Sequence, residues 1–153
     1  MKIVVLKFGG TSVGTINKIK KIAKIIKNYK KKNYKVIVIS SAMSGVTNEL
    51  VRKSREIDQN FSPAEYDVLV SSGEQVACSL IAGRLIHDGI KSRSWLAWQI
   101  PIISKGLHKN SRINQINKKK IIKYLKEGGI PIIAGFQGIN NDERITTTGR
   151  GGS

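Results

Sequence analysis

A lysine precedes two glycines and two hydroxyl residues in the segment KFGGTS, residues 7–12. Because glycine has no Cβ, the backbone N–H groups of Gly9 and Gly10 can approach an anion closely. Lys7 adds a mobile positive charge and Ser12 adds a hydroxyl donor, so the segment predicts a phosphate-binding loop. It is not the P-loop pattern G-x-x-x-x-G-K-[ST], since the lysine comes before the glycines. The alternative is a Gly-Gly turn with a structural role only.

A second loop, residues 40–47 with the sequence SSAMSGVT, is rich in small residues and hydroxyl groups. Small residues such as Gly45 leave room for a small ligand, and Ser41 and Thr47 supply hydrogen-bond donors without bulk. The alternative is a structural role in which Ser44 or Thr47 caps the helix that follows. The residues alone leave both interpretations open.

Two residues of opposite charge lie in small-residue segments further along the chain. Glu74 follows Ser-Ser-Gly, and such an acid can simply complement the dipole in the first turn of a helix. Arg150 lies between glycines in TTTGRGGS, so its planar guanidinium group is free of neighbouring bulk. That group can bind a carboxylate or a phosphate through two parallel hydrogen bonds, which predicts an anion-binding loop.

The elements that position these loops alternate between strands and helices. Apolar, β-branched runs predict strands over 2–8, 35–40, 92–99 and 130–134. Helical spacing of apolar residues predicts helices over 16–29, 46–57, 63–70, 75–87 and 116–126, with a break at Ser71-Ser72-Gly73-Glu74. Repeated strand–loop–helix units predict an α/β fold with a parallel sheet. The loops meet at the carboxyl edge of such a sheet, so Lys7, Glu74 and Arg150 are expected to converge there.

The composition is that of one globular domain with an unusually positive charge. The 153 residues include 27 Lys and Arg against 10 Asp and Glu, a net charge of +17. Such an excess attracts polyanions, or it reflects codon usage that enriches Lys, Ile and Asn together. Aromatic residues make up only 6% and do not alternate with the basic ones, so nucleic-acid binding is not favoured. No apolar run approaches 18 residues, so no membrane segment is expected.

Several residues are expected to have structural rather than functional roles. Cys78 lies in an apolar run that predicts a core position, and a single cysteine fits the reducing cytoplasm. His87 and His108 show no metal-ligand spacing, so no metal site is expected. Trp95 and Trp98, three residues apart, are expected on opposite faces of a strand.

Five segments together resemble the successive motifs of the aspartokinases, in the amino-acid kinase superfamily. They are KFGGTSV, SSAMSGVTNEL, SSGE, AGFQG and TTTGRGGS, and the combination of KFGGTSV with GRGGS is specific. The resemblance covers the whole chain. It implies a three-layer αβα fold with a mostly parallel sheet, an N-terminal lobe for the amino acid, a C-terminal lobe for ATP and then regulatory ACT domains.

The reaction that the resemblance implies is phosphorylation of the side-chain carboxylate of L-aspartate by ATP with Mg²⁺. The product, 4-phospho-L-aspartate, leads to lysine, diaminopimelate, threonine and methionine. Lys7 is the implied catalytic residue, because it would stabilise the transferring phosphoryl group. Implied ATP- and phosphate-binding residues are Lys7, Phe8, Gly9, Gly10, Ser12 and Ser41. Implied substrate-binding residues are Ser41, Gly45, Thr47, Glu74, Arg150, Gly151, Gly152 and Ser153, with Glu74 near the ammonium group and Arg150 on a carboxylate.

The chain departs from the aspartokinase pattern at its end. Thr148 replaces a leucine that is usual in the family, and Ser153 is the last residue, before the aspartate that normally follows. Residues 1–153 are therefore expected to form an incomplete N-terminal lobe, without the ATP lobe and the ACT domains. We expect this chain to be inactive alone and to require a separately encoded C-terminal fragment or a homodimer, unless it is a gene remnant. The alternative function is a small basic module that binds nucleotides or RNA without catalysis.

Overall fold

The structure is a computed structural model, and it describes residues 2–149. Within that range the chain forms eight strands and four helices. In chain order they are β1 (Ile3–Phe8), α1 (Ile16–Lys31), β2 (Lys35–Ser40), α2 (Val46–Ile57), α3 (Pro63–His87), β3 (Ser92–Trp95), β4 (Ile102–Lys105), β5 (Arg112–Ile116), α4 (Lys119–Lys126), β6 (Ile130–Ala134), β7 (Gln137–Ile139) and β8 (Ile145–Thr147). None of the helices in this range is both long and apolar enough to cross a membrane.

Two sheets organise these strands. The first has the order β1-β2-β6-β3, and all of its strands are parallel. The second has the order β5-β4-β7-β8, in which β4 and β7 are parallel and the other pairs are antiparallel. In the first sheet Phe8 pairs with Ser40, and Ser40 pairs with Ala134. The carboxyl ends of β1, β2 and β6 therefore lie side by side.

Helices cover both faces of the parallel sheet. On one face α1 and α3 pack through residues such as Ile26 and Ile81 against Val38 and Ile132 of the sheet. On the other face α4 packs through Leu125 against a second buried cluster. This is the three-layer αβα arrangement with a mostly parallel sheet that was predicted, and Cys78 is buried in its core as expected.

The predicted helix break at residues 71–74 is wrong, because α3 runs without interruption from Pro63 to His87. The Ser71 and Ser72 hydroxyls donate hydrogen bonds to the backbone carbonyl groups of Val68 and Leu69, 3.1 and 2.7 Å away. Serine hydroxyl groups that donate to the preceding helical turn satisfy their own hydrogen-bonding capacity without interrupting the helix. The helix begins at Pro63, as predicted, and the side chain of the preceding Ser62 makes no cap hydrogen bond.

The second sheet was not predicted from the sequence. Its strands are three to five residues long. The strand β5 ends at Ile116, the first residue of the predicted helix 116–126, and α4 begins only at Lys119. The predicted strand 92–99 ends at Trp95, which is buried, whereas Trp98 follows in a turn and is exposed. The expectation that the two indoles lie on opposite faces of one strand is therefore wrong.

Candidate functional site

A cavity of about 270 Å³ opens at the carboxyl ends of β1, β2 and β6. It is lined by Gly10 after β1, by residues 41–45, 47 and 48 after β2, by Glu74 of α3 and by Phe136 after β6. The cavity is therefore built by the loops that the sequence analysis selected. A volume of this size accommodates a small metabolite, and the polar lining groups could fix its orientation.

The loop after β1 is a tight turn. The carbonyl oxygen of Gly9 accepts hydrogen bonds from the Ser12 and Val13 N–H groups, at 2.9 and 3.2 Å. A Cβ at Gly10 would lie 3.2 Å from the carbonyl oxygen of Ala42, so glycine allows the two loops to approach closely. Gly10 thus has a structural role and also lines the cavity, whereas a Cβ at Gly9 would contact nothing within 4 Å outside its neighbouring residues.

The predicted phosphate-binding residues are only partly brought together. Gly10 and Ser41 line the cavity, whereas Lys7, Phe8, Gly9 and Ser12 do not. The Phe8 side chain packs against the core. Lys7 is exposed and lies in register with Ile39, on the face of the sheet that packs against α4.

Ser12 is exposed, and its N–H group already donates to Gly9, so this N–H group is not free to bind a phosphate. The phosphate-binding roles of Lys7, Phe8, Gly9 and Ser12 stay predictions.

The loop after β2 presents hydroxyl groups and a helix N-terminus to the cavity. Gly45 is the N-cap of α2, with a φ of +83° that favours glycine, and no side chain makes a cap hydrogen bond. The alternative in which Ser44 or Thr47 caps this helix is therefore wrong. Both residues instead line the cavity together with Ser41. The positive end of the α2 dipole makes this side of the cavity favourable for an anion.

Glu74 of α3 supplies a buried carboxylate to the cavity wall, next to the same loop. It lies in the middle of α3, not in the first turn, so the interpretation as a dipole-complementing acid is wrong. Only 3% of the residue is exposed. Its Oε1 accepts a hydrogen bond of 3.0 Å from the Ala42 N–H group, and its Oε2 is buried with no hydrogen-bond partner among residues 2–149.

Burial raises the pKa of Glu74 to about 7, because the charged form loses its hydration. The hydrogen bond from the Ala42 N–H group acts in the opposite direction but is outweighed. Glu74 is therefore a carboxyl group that changes its charge near neutral pH, beside a cavity. Titratable groups in a cleft whose pKa is strongly shifted are candidates for functional residues.

Gly73 explains why small residues precede Glu74. A Cβ at this position would lie 2.8 Å from the Ala42 Cβ and 3.2 Å from the Val46 Cγ1. The loop after β2 can therefore approach α3 closely enough for the Ala42–Glu74 hydrogen bond only because residue 73 has no side chain. In the SSGE segment, Gly73 allows the close approach of the loop, and this approach brings the Ala42 N–H group to Glu74.

Phe136 was not among the predicted site residues. It follows β6 within AGFQG, has a φ of +64° and lines the cavity. Its carbonyl oxygen accepts a hydrogen bond of 3.1 Å from the Thr148 N–H group. The chain that leads to the predicted anion-binding loop therefore passes beside the cavity. A positive φ at a bulky residue is uncommon and is often found at ligand-binding sites.

The predicted site residues Arg150, Gly151, Gly152 and Ser153 lie outside the described residues. Glu74, Ser41, Gly45 and Thr47 lie around the cavity. Their roles as ligand-binding residues stay predictions. Between residues 2 and 149, no group of three or more His, Cys, Asp or Glu side chains could hold a metal ion.

Comparison with known proteins identifies relatives along the full chain. Residues 2–153 match the model of the amino acid kinase family. The chain is 51% identical to an aspartokinase of Rickettsia conorii over 156 aligned residues, which cover 100% of this chain and 39% of that protein. It is 44% identical to an aspartokinase of Geobacillus stearothermophilus, of which it covers 38%. The chain thus spans about two fifths of the length of these curated relatives, and the resemblance to aspartokinases is confirmed.

Solved structures show the same fold. The crystal structure of aspartate kinase from Synechocystis superimposes with a TM-score of 0.82 at 36% identity, over 100% of this chain and 25% of that one. A structure of Escherichia coli aspartokinase III in complex with aspartate and ADP gives a TM-score of 0.84 at 23% identity, over 99% of this chain and 44% of that one. The second similarity concerns the fold alone.

We predict that Gly73→Ala lowers the free energy of unfolding by about 1–3 kcal/mol, because the new methyl group overlaps Ala42 and forces the loop away from α3. Gly83→Ala is the matched control on the same helix. No atom lies within 4 Å of a Cβ at residue 83, so alanine there should stabilise the protein by about 0.4–1 kcal/mol. Urea unfolding measures both. Equal effects of the two substitutions would contradict the close contact at Gly73.

We also predict that ionisation of Glu74 destabilises the fold. Since burial raises its pKa from the ordinary 4.5 to about 7, the native state binds more protons than the unfolded chain between these pH values. The Glu74 contribution to the free energy of unfolding therefore falls as the pH rises from 4.5 to 7, by on the order of 2–3 kcal/mol. Glu74→Gln should remove this fall.

The measurement is urea unfolding of both proteins at a series of pH values, compared with Glu127→Gln. Glu127 is exposed and does not line the cavity, so its variant should keep the pH dependence of the parent. The same pH dependence in Glu74→Gln and the parent would show that Glu74 titrates normally.

Proposed function

Because the chain belongs to the amino acid kinase family, we propose that it binds L-aspartate in the cavity beside Glu74 for phosphorylation of the side-chain carboxylate by MgATP. Aspartokinases that are 51% and 44% identical over the chain support this substrate. The chain spans 39% of the first of them. We therefore assign to this chain the amino-acid side of the transfer, and to the portion of the relatives beyond it most of the nucleotide side.

The observation that carries this proposal is the unpaired Oε2 of Glu74. A buried carboxylate oxygen without a partner is costly, and an ammonium group that donates to it removes the cost. L-Aspartate supplies such a group. Binding would convert Glu74 from a destabilised acid into one member of an ion pair and would lower its pKa below about 7.

The loop after β2 and the start of α2 suit the negative groups of the substrate. Ser41 and Thr47 provide hydroxyl donors, and the N-terminus of α2 provides the positive end of a helix dipole. In the proposed complex Arg150 binds one carboxylate through its guanidinium group. An amino acid with two carboxylates thus meets one acidic and several positive or donating groups.

The transfer itself needs alignment and charge neutralisation. An oxygen of the substrate's side-chain carboxylate attacks the γ-phosphorus of ATP. The new O–P bond forms as the bond to the β–γ bridging oxygen breaks, and ADP leaves with that electron pair. No proton has to move, because the attacking carboxylate is already ionised. Since both reactants are negative, Lys7 at the end of β1 would neutralise charge on the transferring group. Mg²⁺ would arrive on the phosphate oxygens of ATP.

We predict that the 153-residue chain binds L-aspartate in isothermal titration calorimetry more tightly than succinate, which lacks the ammonium group. Glu74→Gln should weaken aspartate binding about tenfold or more and abolish the preference, because a charge-assisted hydrogen bond contributes about 1.5–3 kcal/mol. Aspartate binding by the parent should strengthen as the pH rises from 6 to 8, since it requires ionised Glu74.

Glu127→Gln again serves as the matched control and should bind aspartate like the parent. Absence of aspartate binding by the parent, or equal affinity for succinate, would refute the proposed function.

A further inference from the structure

A second cavity, of about 190 Å³, lies where α4 packs against the first sheet. Among the described residues, it shares none of its lining with the cavity beside Glu74. Its wall is formed by one face of α4 and by β3, the end strand in the order β1-β2-β6-β3. The lining residues are Arg93, Trp95, Lys120, Lys123, Tyr124 and Glu127. The cavity thus combines three cationic side chains and one acid with two aromatic rings.

Arg93 is held in place by Trp95. The guanidinium carbon lies 4.0 Å from the centroid of the indole ring, and a cation over the face of an indole is attracted by the ring electrons. Only 5% of Trp95 is exposed, because the ring packs in the buried cluster that includes Leu125. Within residues 2–149 the guanidinium N–H groups of Arg93 form no hydrogen bond or ion pair, so they are free to bind a ligand.

The positive charges of this cavity are not neutralised by the protein. Glu127 is already paired, since its Oε2 lies 3.1 Å from the Lys91 Nζ. The Lys120 Nζ donates a hydrogen bond of 3.0 Å to a backbone carbonyl oxygen, which positions the ammonium group but leaves its charge. No salt bridge in the described part of the chain engages Arg93, Lys120 or Lys123. Three like charges around a small volume repel one another, and a bound anion would remove this repulsion.

The cavity wall also contains a hydrogen-bond donor without an acceptor. The Nε1 of Trp95 is buried and has no hydrogen-bond partner among residues 2–149. A buried N–H group that lacks an acceptor is costly. An anion in this cavity would bring acceptor oxygens to the wall that holds this donor. The excess of charge and the missing acceptor therefore both indicate an anion with several oxygens.

The aromatic rings are not open for stacking on a base. One face of Trp95 is covered by Arg93, and its contact with Tyr124 is edge-to-face, with centroids 5.7 Å apart and planes at 71°. The Lys91 Nζ lies 5.3 Å from the centroid of Tyr124, and a Cβ at Gly129 would overlap the same ring. Binding of a nucleobase by stacking requires a free ring face. A ligand of this cavity is therefore recognised by its charge and its oxygen atoms.

We propose that this cavity binds the phosphate group of a small ligand through Arg93, Lys120 and Lys123. A phosphate monoester carries about two negative charges at neutral pH, whereas a monocarboxylate offers only one to the three cations. Phosphate oxygens also match the planar guanidinium group of Arg93, which can donate two parallel hydrogen bonds. Free pyrophosphate and a phosphorylated metabolite share this chemistry. No residue of the cavity beside Glu74 takes part, so the inference is independent of the proposed function.

The fluorescence of Trp95 provides a local test. The chain has two tryptophans, and Trp98 is exposed in a turn and does not line the cavity. Trp98→Phe therefore leaves Trp95 as the single indole. Titration of this variant with pyrophosphate at low salt should change the Trp95 emission until it saturates. An unchanged emission while calorimetry detects binding would place the anion elsewhere.

The choice of probe tests the chemistry of the ligand. Isothermal titration calorimetry compares pyrophosphate, glycerol 3-phosphate and citrate. The tighter of the two phosphate probes shows whether the free anion or an ester is preferred, and either result supports a phosphate site. Citrate supplies several carboxylates without phosphorus, so equal or tighter binding of citrate would contradict a phosphate site.

Substitutions that remove one charge separate the cavity from the general positive charge of the chain. Arg93→Gln and Lys123→Gln should each weaken pyrophosphate binding about fivefold or more, because each removes a charge-assisted contact. Lys126→Gln is the matched control, since Lys126 is exposed on the same helix but does not line the cavity. Its variant should bind within about twofold of the parent. Urea unfolding checks that each variant folds, and Lys123→Gln carries the test if Arg93→Gln does not.

Lys7→Gln distinguishes this cavity from the predicted phosphate-binding loop after β1, and it should bind pyrophosphate like the parent. Three results would reject the site: no binding of either phosphate probe by the parent, equal weakening by Lys123→Gln and Lys126→Gln, or a loss of binding in Lys7→Gln but not in Arg93→Gln. Equal weakening would mean that pyrophosphate is attracted by the net charge of +17 only. Binding of L-aspartate beside Glu74 is measured separately, so failure of this site leaves the proposed function unaffected.

Discussion

The hydrogen bond between the Ala42 N–H group and the buried carboxylate of Glu74 joins the loop after β2 to α3. It forms only because Gly73 allows the loop to lie directly on the helix surface. Among residues 2–149, the second oxygen of Glu74 has no hydrogen-bond partner in the cavity wall. One close approach between a loop and a helix thus determines the geometry of the loop, the shape of the cavity and the need of Glu74 for a hydrogen-bond donor.

The helix α3 is the element that makes this contact compatible with the rest of the fold. It packs against both sheets and against α1 and α2, which explains why its apolar residues are not confined to one face. One stretch of this helix carries Asp67, which holds the second sheet, and Glu74, which lines the cavity. A rigid element with both functions transmits the position of the second sheet to the site without an intervening loop.

The parallel sheet and its helices were predictable because long apolar runs and helical spacing are local signals. The four strands of the second sheet were not, since Asp67 and its donors His108 and Thr147 are separated by 41 and 80 residues. The break assigned to SSGE failed because small residues signal both loops and close helix contacts. Glu74, a predicted substrate-binding residue, lines the cavity, but the Oε2 that lacks a partner among the described residues could be recognised only from three-dimensional packing.

Burial and charge act in opposite directions at Glu74, and this opposition suits recognition of an amino acid. A solvent-exposed carboxylate would bind any cation weakly, because water screens the interaction. A buried one with a pKa near 7 gains most from a ligand whose ammonium group fits the same volume. The remainder of an acidic amino acid is negative, and a chain with a net charge of +17 favours its approach. In the proposed function, the general excess of positive charge would aid association, whereas the buried acid Glu74 would distinguish an amino acid from an anion without an amine.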